Sequence, residues 1–160
     1  MVDLKKIGRI ELMAILGDHQ SMLDGGENGR RADLSFHDLT KEDLSDINLS
    51  LAEMTGAVLQ HASMAGSNFT AAILFGADLR VANLRRANLT RSDLRGACMR
   101  GADLSDAVLV NADMREGKLT WEPDAGPLYT SQHAEMSGAL AARADFTGAR
   151  LSSSFVAQTD

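Results

Sequence analysis

The sequence predicts an all-β solenoid carrying a short helical cap at its N-terminus. Three observations lead there. A large apolar residue recurs every five positions from Leu34 to Leu119, through 18 consecutive repeats. A small residue, alanine or serine, stands two places before it in most repeats; His37, Glu42, Ile47 and Gly117 are the departures. Aromatic residues make up only 4% of the 160, too few for an ordinary globular core.

The first element is the cap. Leu4, Ile7, Ile10, Met13, Ile15, Leu16, Met22 and Leu23 recur at helical spacing over residues 3–23, which predicts one or two amphipathic helical pieces. Gly25, Gly26 and Gly29 then break the pattern. The expected task of this segment is to cover the open first coil, whose strand edges would otherwise invite pairing with another chain. A partner-binding helix is the sharper reading of the same residues.

The repeat is the second element. On an α-helix a step of five turns about 500°, so successive leucines form no stripe. On a straight strand an odd step sends alternate leucines to opposite faces. Within one repeat, however, the small and large residues lie two apart, which is strand spacing on one face. A very short extended piece followed by a turn satisfies both facts. Four such turns close a coil of about 20 residues, and coils stack at roughly 4.8 Å. Gly56, Gly66, Gly76, Gly96 and Gly101 fall at the corners, where a turn needs permissive φ.

Units such as Ala77-Asp78-Leu79-Arg80, Ala82-Asn83-Leu84-Arg85, Ala87-Asn88-Leu89-Thr90 and Ala102-Asp103-Leu104-Ser105 resemble those of the pentapeptide-repeat family. The resemblance covers residues 32–119 and, less regularly, 134–156. It implies a right-handed quadrilateral parallel β-helix. The run Leu12 to Leu16, then His19, Met22-Leu23, Gly25-Gly26 and Arg31-Ala32-Asp33-Leu34, resembles a leader found before some bacterial pentapeptide repeats.

Beyond Leu119 the period fails. It resumes at Met136, Ala141, Phe146, Leu151 and Val156. The expected organisation is a cap over 1–31, repeats over 32–119, an extruded loop over 120–135 and C-terminal repeats over 136–160, all in one structural domain. The loop holds Trp121, Pro123, Pro127 and Tyr129, which are all the tryptophan, proline and tyrosine in the chain. Rigid aromatics on a protruding loop suit binding; a loop that folds back over the solenoid wall is the alternative.

Outward residues 20 apart should stack. Asn48, Asn68 and Asn88 then form a ladder able to exchange side-chain hydrogen bonds. Arg80 stacks with Arg100 and Arg95 with Arg115, while Arg85, Arg86 and Arg91 lie on neighbouring sides. These arginines make a basic belt interleaved with Asp78, Asp93, Asp103 and Asp113. It reads as a neutralised, solvated surface or, more sharply, as a docking site for an acidic partner. Outward apolar residues are Val58, Ile73, Phe75, Val81, Val108 and Val110.

Little points to catalysis. His19, His37, His61 and His133 are scattered without metal-ligand spacing. His37 takes an inward position and is expected to be satisfied against the cap. Cys98, the lone cysteine, excludes an intrachain disulfide and suits a reducing compartment. Arg95 and Arg100 stand near it in the repeat. Phosphate loops and nucleophile elbows are absent. A poor N-terminal signal and the lack of a long apolar run point to a soluble cytoplasmic protein without membrane insertion. The expectation is a non-enzymatic chain without cofactor or metal.

The predicted function is a protein–protein interaction module or scaffold, an accessory subunit of a larger complex, as monomer or homodimer. Its contacts are expected at Trp121, Tyr129, Arg80, Arg85, Arg95, Arg100 and Arg115. The resemblance implies an alternative, a DNA-mimicking modulator of DNA gyrase or topoisomerase IV of the quinolone-resistance kind. Dimerisation at the C-terminal end, for which Phe155 and Val156 are candidates, would accompany it. Charge disfavours that alternative. The net charge of −6 is confined mostly to residues 32–76, which carry −5, and residues 77–119 carry +2. A duplex mimic needs acid along its whole length. Direct nucleic-acid binding is disfavoured by the acidic balance and by arginines without interleaved aromatics.

Overall fold

The computed structural model describes residues 4–122, 126–132 and 134–151, with the backbone alone for 118–122 and 126–132. Its elements are β1 (Lys5–Lys6), α1 (Arg9–Leu23), β2 (His37–Asp38), β3 (Gly117–Glu122) and β4 (Gly126–Gln132). Between β2 and β3 the chain advances as single-residue parallel bridges, one per repeat.

Those bridges define four sides. The first runs through Asp33, Glu53, Ile73, Asp93, Asp113 and Arg150, and the second through Asp38, Val58, Asp78, Cys98 and Glu135. Asp43, Ser63, Asn83, Asp103 and Leu140 form the third, and Asn48, Asn68, Asn88, Val108 and Asp145 the fourth. Each step is 20 residues until the insertion, so one coil holds four repeats. Backbone bonds such as Leu34 N–H to the Glu53 carbonyl at 2.7 Å and Glu53 N–H to Ala32 at 2.9 Å tie each coil to the next.

The corners explain the repeat's grammar. At a typical one the Ala57 N–H closes a turn on the Met54 carbonyl at 3.1 Å, with Gly56 at φ +61. A positive φ at the third of four residues is the mark of a type II turn. Among the described residues the same position is positive at twelve non-glycine residues, from Phe36 to Arg143, so stacking overrides local preference there. Before many corners stands an aspartate or asparagine whose side-chain oxygen takes the N–H two residues on. Asp43 does so with Ser45 at 3.1 Å, and Asn68 with Thr70 at 3.0 Å. This local bond satisfies a turn donor that the ladder leaves over.

Inside, the small and large residues are sealed. Phe69, Leu34, Leu79 and Leu104 are among many with no exposed surface. Ser67 and Ser92 replace alanine in that core, and each hydroxyl donates to a backbone carbonyl, Ser67 to Leu44 and Ser92 to Leu89. Buried hydroxyls are tolerated because they are bonded.

The cap is one helix. Leu12 and His19 are its buried residues, with Ile7, Ile15 and Leu16 packed partly against the core. Ile10 and Met13 face solvent, so the apolar residues do not share one face. Lys5 and Lys6 pair in parallel with His37 and Asp38, supplying a rung beneath the first coil. His37 is buried there, and its Nδ1 lies 2.9 Å from the Ser35 carbonyl oxygen.

At the other end the solenoid departs from expectation. Leu119 keeps the five-residue phase but lies in β3, paired with Tyr129. The repeat stops after Met114, and the rung above Cys98 is Glu135. The extruded segment therefore starts by Gly117, not 120. It is an antiparallel hairpin with a register shift between Lys118 and Leu119. Phe155 and Val156 lie outside the described residues.

Candidate interaction surface

The hairpin leaves from the first side. Gly117 sits so close to the wall that a Cβ there would come within 2.8 Å of the Arg95 carbonyl carbon and oxygen. The Gly96 N–H donates to the Arg115 carbonyl at 3.1 Å just before the departure. Glycine, where the repeat expects alanine or serine, is thus required by close approach of two backbones.

Between the hairpin's base and the wall lies an open cleft of about 510 Å³, lined by Glu53, Thr55, Ile73, Phe75, Asp93, Arg95, Glu116 and Gly117. Its floor is Ile73 and Phe75. Phe75 is 8% exposed, so it is less open than its outward position suggested. Its cover is Arg95, whose guanidinium carbon lies 5.2 Å from the ring centroid. Arg95 also holds Asp93 through two bonds, 2.9 and 2.7 Å.

Trp121 pairs with Pro127 across the hairpin and Tyr129 with Leu119. Arg95 and Arg115 share the first side with the hairpin's root. Arg80 and Arg100 stand on the second side and Arg85 on the third, beside the rungs of Asp78, Cys98 and Asn83. The seven candidate residues therefore do not form one patch.

Every arginine of that group has an acidic partner. Arg80, Arg95 and Arg115 hold the aspartate two residues before them at 2.6 to 2.7 Å, and Arg85 reaches Asp103 and Arg100 reaches Glu135 at 3.9 and 3.8 Å. The Arg115 guanidinium holds the Asp113 carboxyl below the usual aspartate range. At Asp78 burial pushes upward, yet bonds from Arg80 and Gln60 leave the carboxyl lowered. The neutralised reading of the belt follows from these contacts.

The asparagine ladder stands in register, Asn48 to Asn68 to Asn88. Its side-chain oxygens, however, bond locally to Ser50, Thr70 and Thr90, and among the described residues no bond joins one asparagine side chain to the next. Cys98 is half-buried with its sulfur 3.8 Å from a Glu135 carboxylate oxygen. Among the described residues no group of three histidines, cysteines or carboxylates is placed to hold a metal, and no helix is long and apolar enough to cross a membrane.

The cleft is what sequence reasoning missed. Phe75, Arg95 and Arg115 are each 20 residues apart, so stacking would have set Arg95 over Phe75. The extra information needed was where the hairpin leaves.

A sequence model of pentapeptide repeats matches the chain in eight copies over residues 52–91 and 87–121. No curated protein sequence matches it. Among solved structures it is similar to alr5209, a pentapeptide repeat protein from Nostoc PCC 7120. That match has 25% identity and a TM-score of 0.56, covering 64% of this chain and 78% of that one. A pentapeptide repeat protein from the Arabidopsis thaliana thylakoid lumen aligns at 22% identity and TM-score 0.38, over 73% of this chain and 63% of its own. QnrB1, a plasmid-mediated fluoroquinolone resistance protein, aligns at 16% and 0.38, over 76% and 70%. The last two likenesses are too loose to carry an argument. Repeat grammar, four-sided stacking, the repeat model and the likeness to alr5209 agree: residues 52–121 are repeats of the pentapeptide repeat family, and the solenoid they build is that family's right-handed quadrilateral β-helix.

Proposed function

We propose that this chain is a non-catalytic protein-interaction module, an accessory subunit that meets its partner on the first side of the solenoid. The observation that carries the reading is a hairpin whose base, at Gly117, borders a cleft that Ile73 and Phe75 also line. A projecting element beside a concave apolar floor is the usual form of a recognition site. Trp121 and Tyr129 lie on the hairpin, and Arg95 and Arg115 at its root.

The cleft's rim carries Glu53, Asp93 and Glu116 against Arg95. With Asp93 paired to Arg95 and Glu53 to Arg31, the remaining rim charge is that of Glu116. That favours a partner segment bearing basic side chains around an apolar anchor, the reverse of the acidic partner a bare arginine belt would select.

The test is excision of residues 117–133. It joins Glu116 to Ala134 and returns Met136 to the position five after Met114, so the coil is preserved. Affinity capture from native lysate with the whole protein, this excision and a Trp121→Ala/Tyr129→Ala variant should recover a partner with the first alone. A partner retained by the excised chain would remove the hairpin from the function.

A DNA-mimicking modulator of gyrase is the rival. The alternation of arginine and aspartate over residues 77–119 supports the interaction module over it. Inhibition or protection of gyrase supercoiling at micromolar protein would reverse that preference.

A further inference from the structure

His19 is buried without exposed surface between α1 and the first coil. The Ala32 N–H donates to its Nδ1 at 3.0 Å. That nitrogen therefore carries no proton, and the neutral ring keeps its single proton on Nε2. Nε2 is buried and has no hydrogen-bond partner. The Ser50 carbonyl favours a ring proton without completing a bond, and the charged group whose field reaches the ring is Arg31. Arg31 is itself paired with Glu53 at 2.7 Å. Among the described residues no carboxylate bonds to the ring.

A second proton has only Nδ1 to go to. There it would face the Ala32 N–H, donor against donor, in a place closed to water. Burial already holds the ring below the ordinary histidine pKa, against the smaller pull of Ser50 and aided by Arg31. The sign follows. A lowered folded pKa gives docking that is fully present above about 6.5, the value in the open state, and is lost as pH falls below it.

We propose that His19 is an acid-sensitive latch that holds the cap on the solenoid. α1 is a weak unit to hold, since Leu12 is its one fully sealed apolar residue. Its release would take β1 with it, because the Lys5 N–H to Phe36 carbonyl bond closes the first coil's lower edge. Mild acid thus converts a closed end into an open strand edge while the coils above stay stacked.

Hydrogen exchange followed by mass spectrometry, corrected for intrinsic pH dependence, tests this at pH 7.5, 6.0 and 5.0. In the native protein α1 amides should open more often as pH falls, by up to roughly tenfold per unit for one proton, while residues 54–114 stay protected. His19→Asn places Oδ1 where Nδ1 stands, accepts from Ala32 and cannot titrate; its cap should hold at all three values. His19→Phe removes the acceptor and should loosen α1 already at pH 7.5. Unchanged protection in the native protein, or equal acid opening in His19→Asn, overturns the latch. Ring nitrogen NMR at pH 7.5 provides a check independent of any variant: a proton found on Nδ1 overturns it as well.

Discussion

Arg95 lies across Phe75, its guanidinium carbon 5.2 Å from the ring centroid, and the same guanidinium grips Asp93 with two nitrogens. One side chain thus seals an aromatic on the coil below and neutralises a carboxylate on its own coil. Arg95→Ala should lower stability by about 1 kcal/mol, the combined scale of a cation–π contact and a half-exposed ion pair. Arg95→Lys, without the planar fork, should recover only part. Chemical denaturation with an unchanged slope measures both. A neutral Arg95→Ala would mean the contact contributes nothing.

Phe69 is sealed at the centre of the stack. Phe69→Ala should cost about 3–5 kcal/mol, since coils above and below hold the cavity open. Equilibrium unfolding in guanidinium would show it as a lower midpoint. A loss under about 1 kcal/mol would mean the coils collapse inward, contrary to a stiff ladder.

Acid should weaken the coils through a separate set of groups. Asp38, Asp43 and Asp145 are held below the usual aspartate range by bonds from Thr40, Ser45 and Thr147. Lowered folded values mean stability present above about pH 3.9 and lost as pH falls through the folded pKa values. Asparagine already serves at Asn48, Asn68 and Asn88. Asp38→Asn, Asp43→Asn and Asp145→Asn together should therefore leave stability at pH 7 nearly unchanged and flatten the decline below pH 5. Thermal melts across pH 3–7 decide it.

Two glycines should respond differently to alanine. A Cβ at Gly29 would lie 2.1 Å from the Met22 backbone nitrogen, so Gly29→Ala must push the cap away. At Gly101 the nearest atom is Val81 Cγ2 at 3.7 Å, and only the φ of +67 opposes a side chain. The expected costs are about 1–3 kcal/mol, localised to α1, and about 1 kcal/mol. Helical ellipticity during melting separates them.

How much of this was legible depended on which residues carried the signal. Inward positions repeat because stacking admits only small and large apolar groups, so Leu34 to Met114 announced the solenoid. Corner glycines and the aspartates before them follow from backbone needs that any sequence must meet. Leu119 misled because it is apolar and in phase while belonging to β3; phase alone cannot tell a coil from a departing strand. Gly117 was the better marker, since its missing side chain answers a contact with Arg95 that has no periodic signature. His19 was equally hidden, because its partner is a backbone N–H thirteen residues away.

The rungs from Cys98 to Glu135, Asp103 to Leu140, Val108 to Asp145 and Asp113 to Arg150 each skip 37 residues, where the bridges before them skip 20. The wall closes across that gap as if nothing had been inserted. The frame and its ornament are therefore separable inheritances. A lineage can lengthen, rewrite or discard the hairpin without renegotiating a single interior leucine, and specificity can drift while architecture stands still.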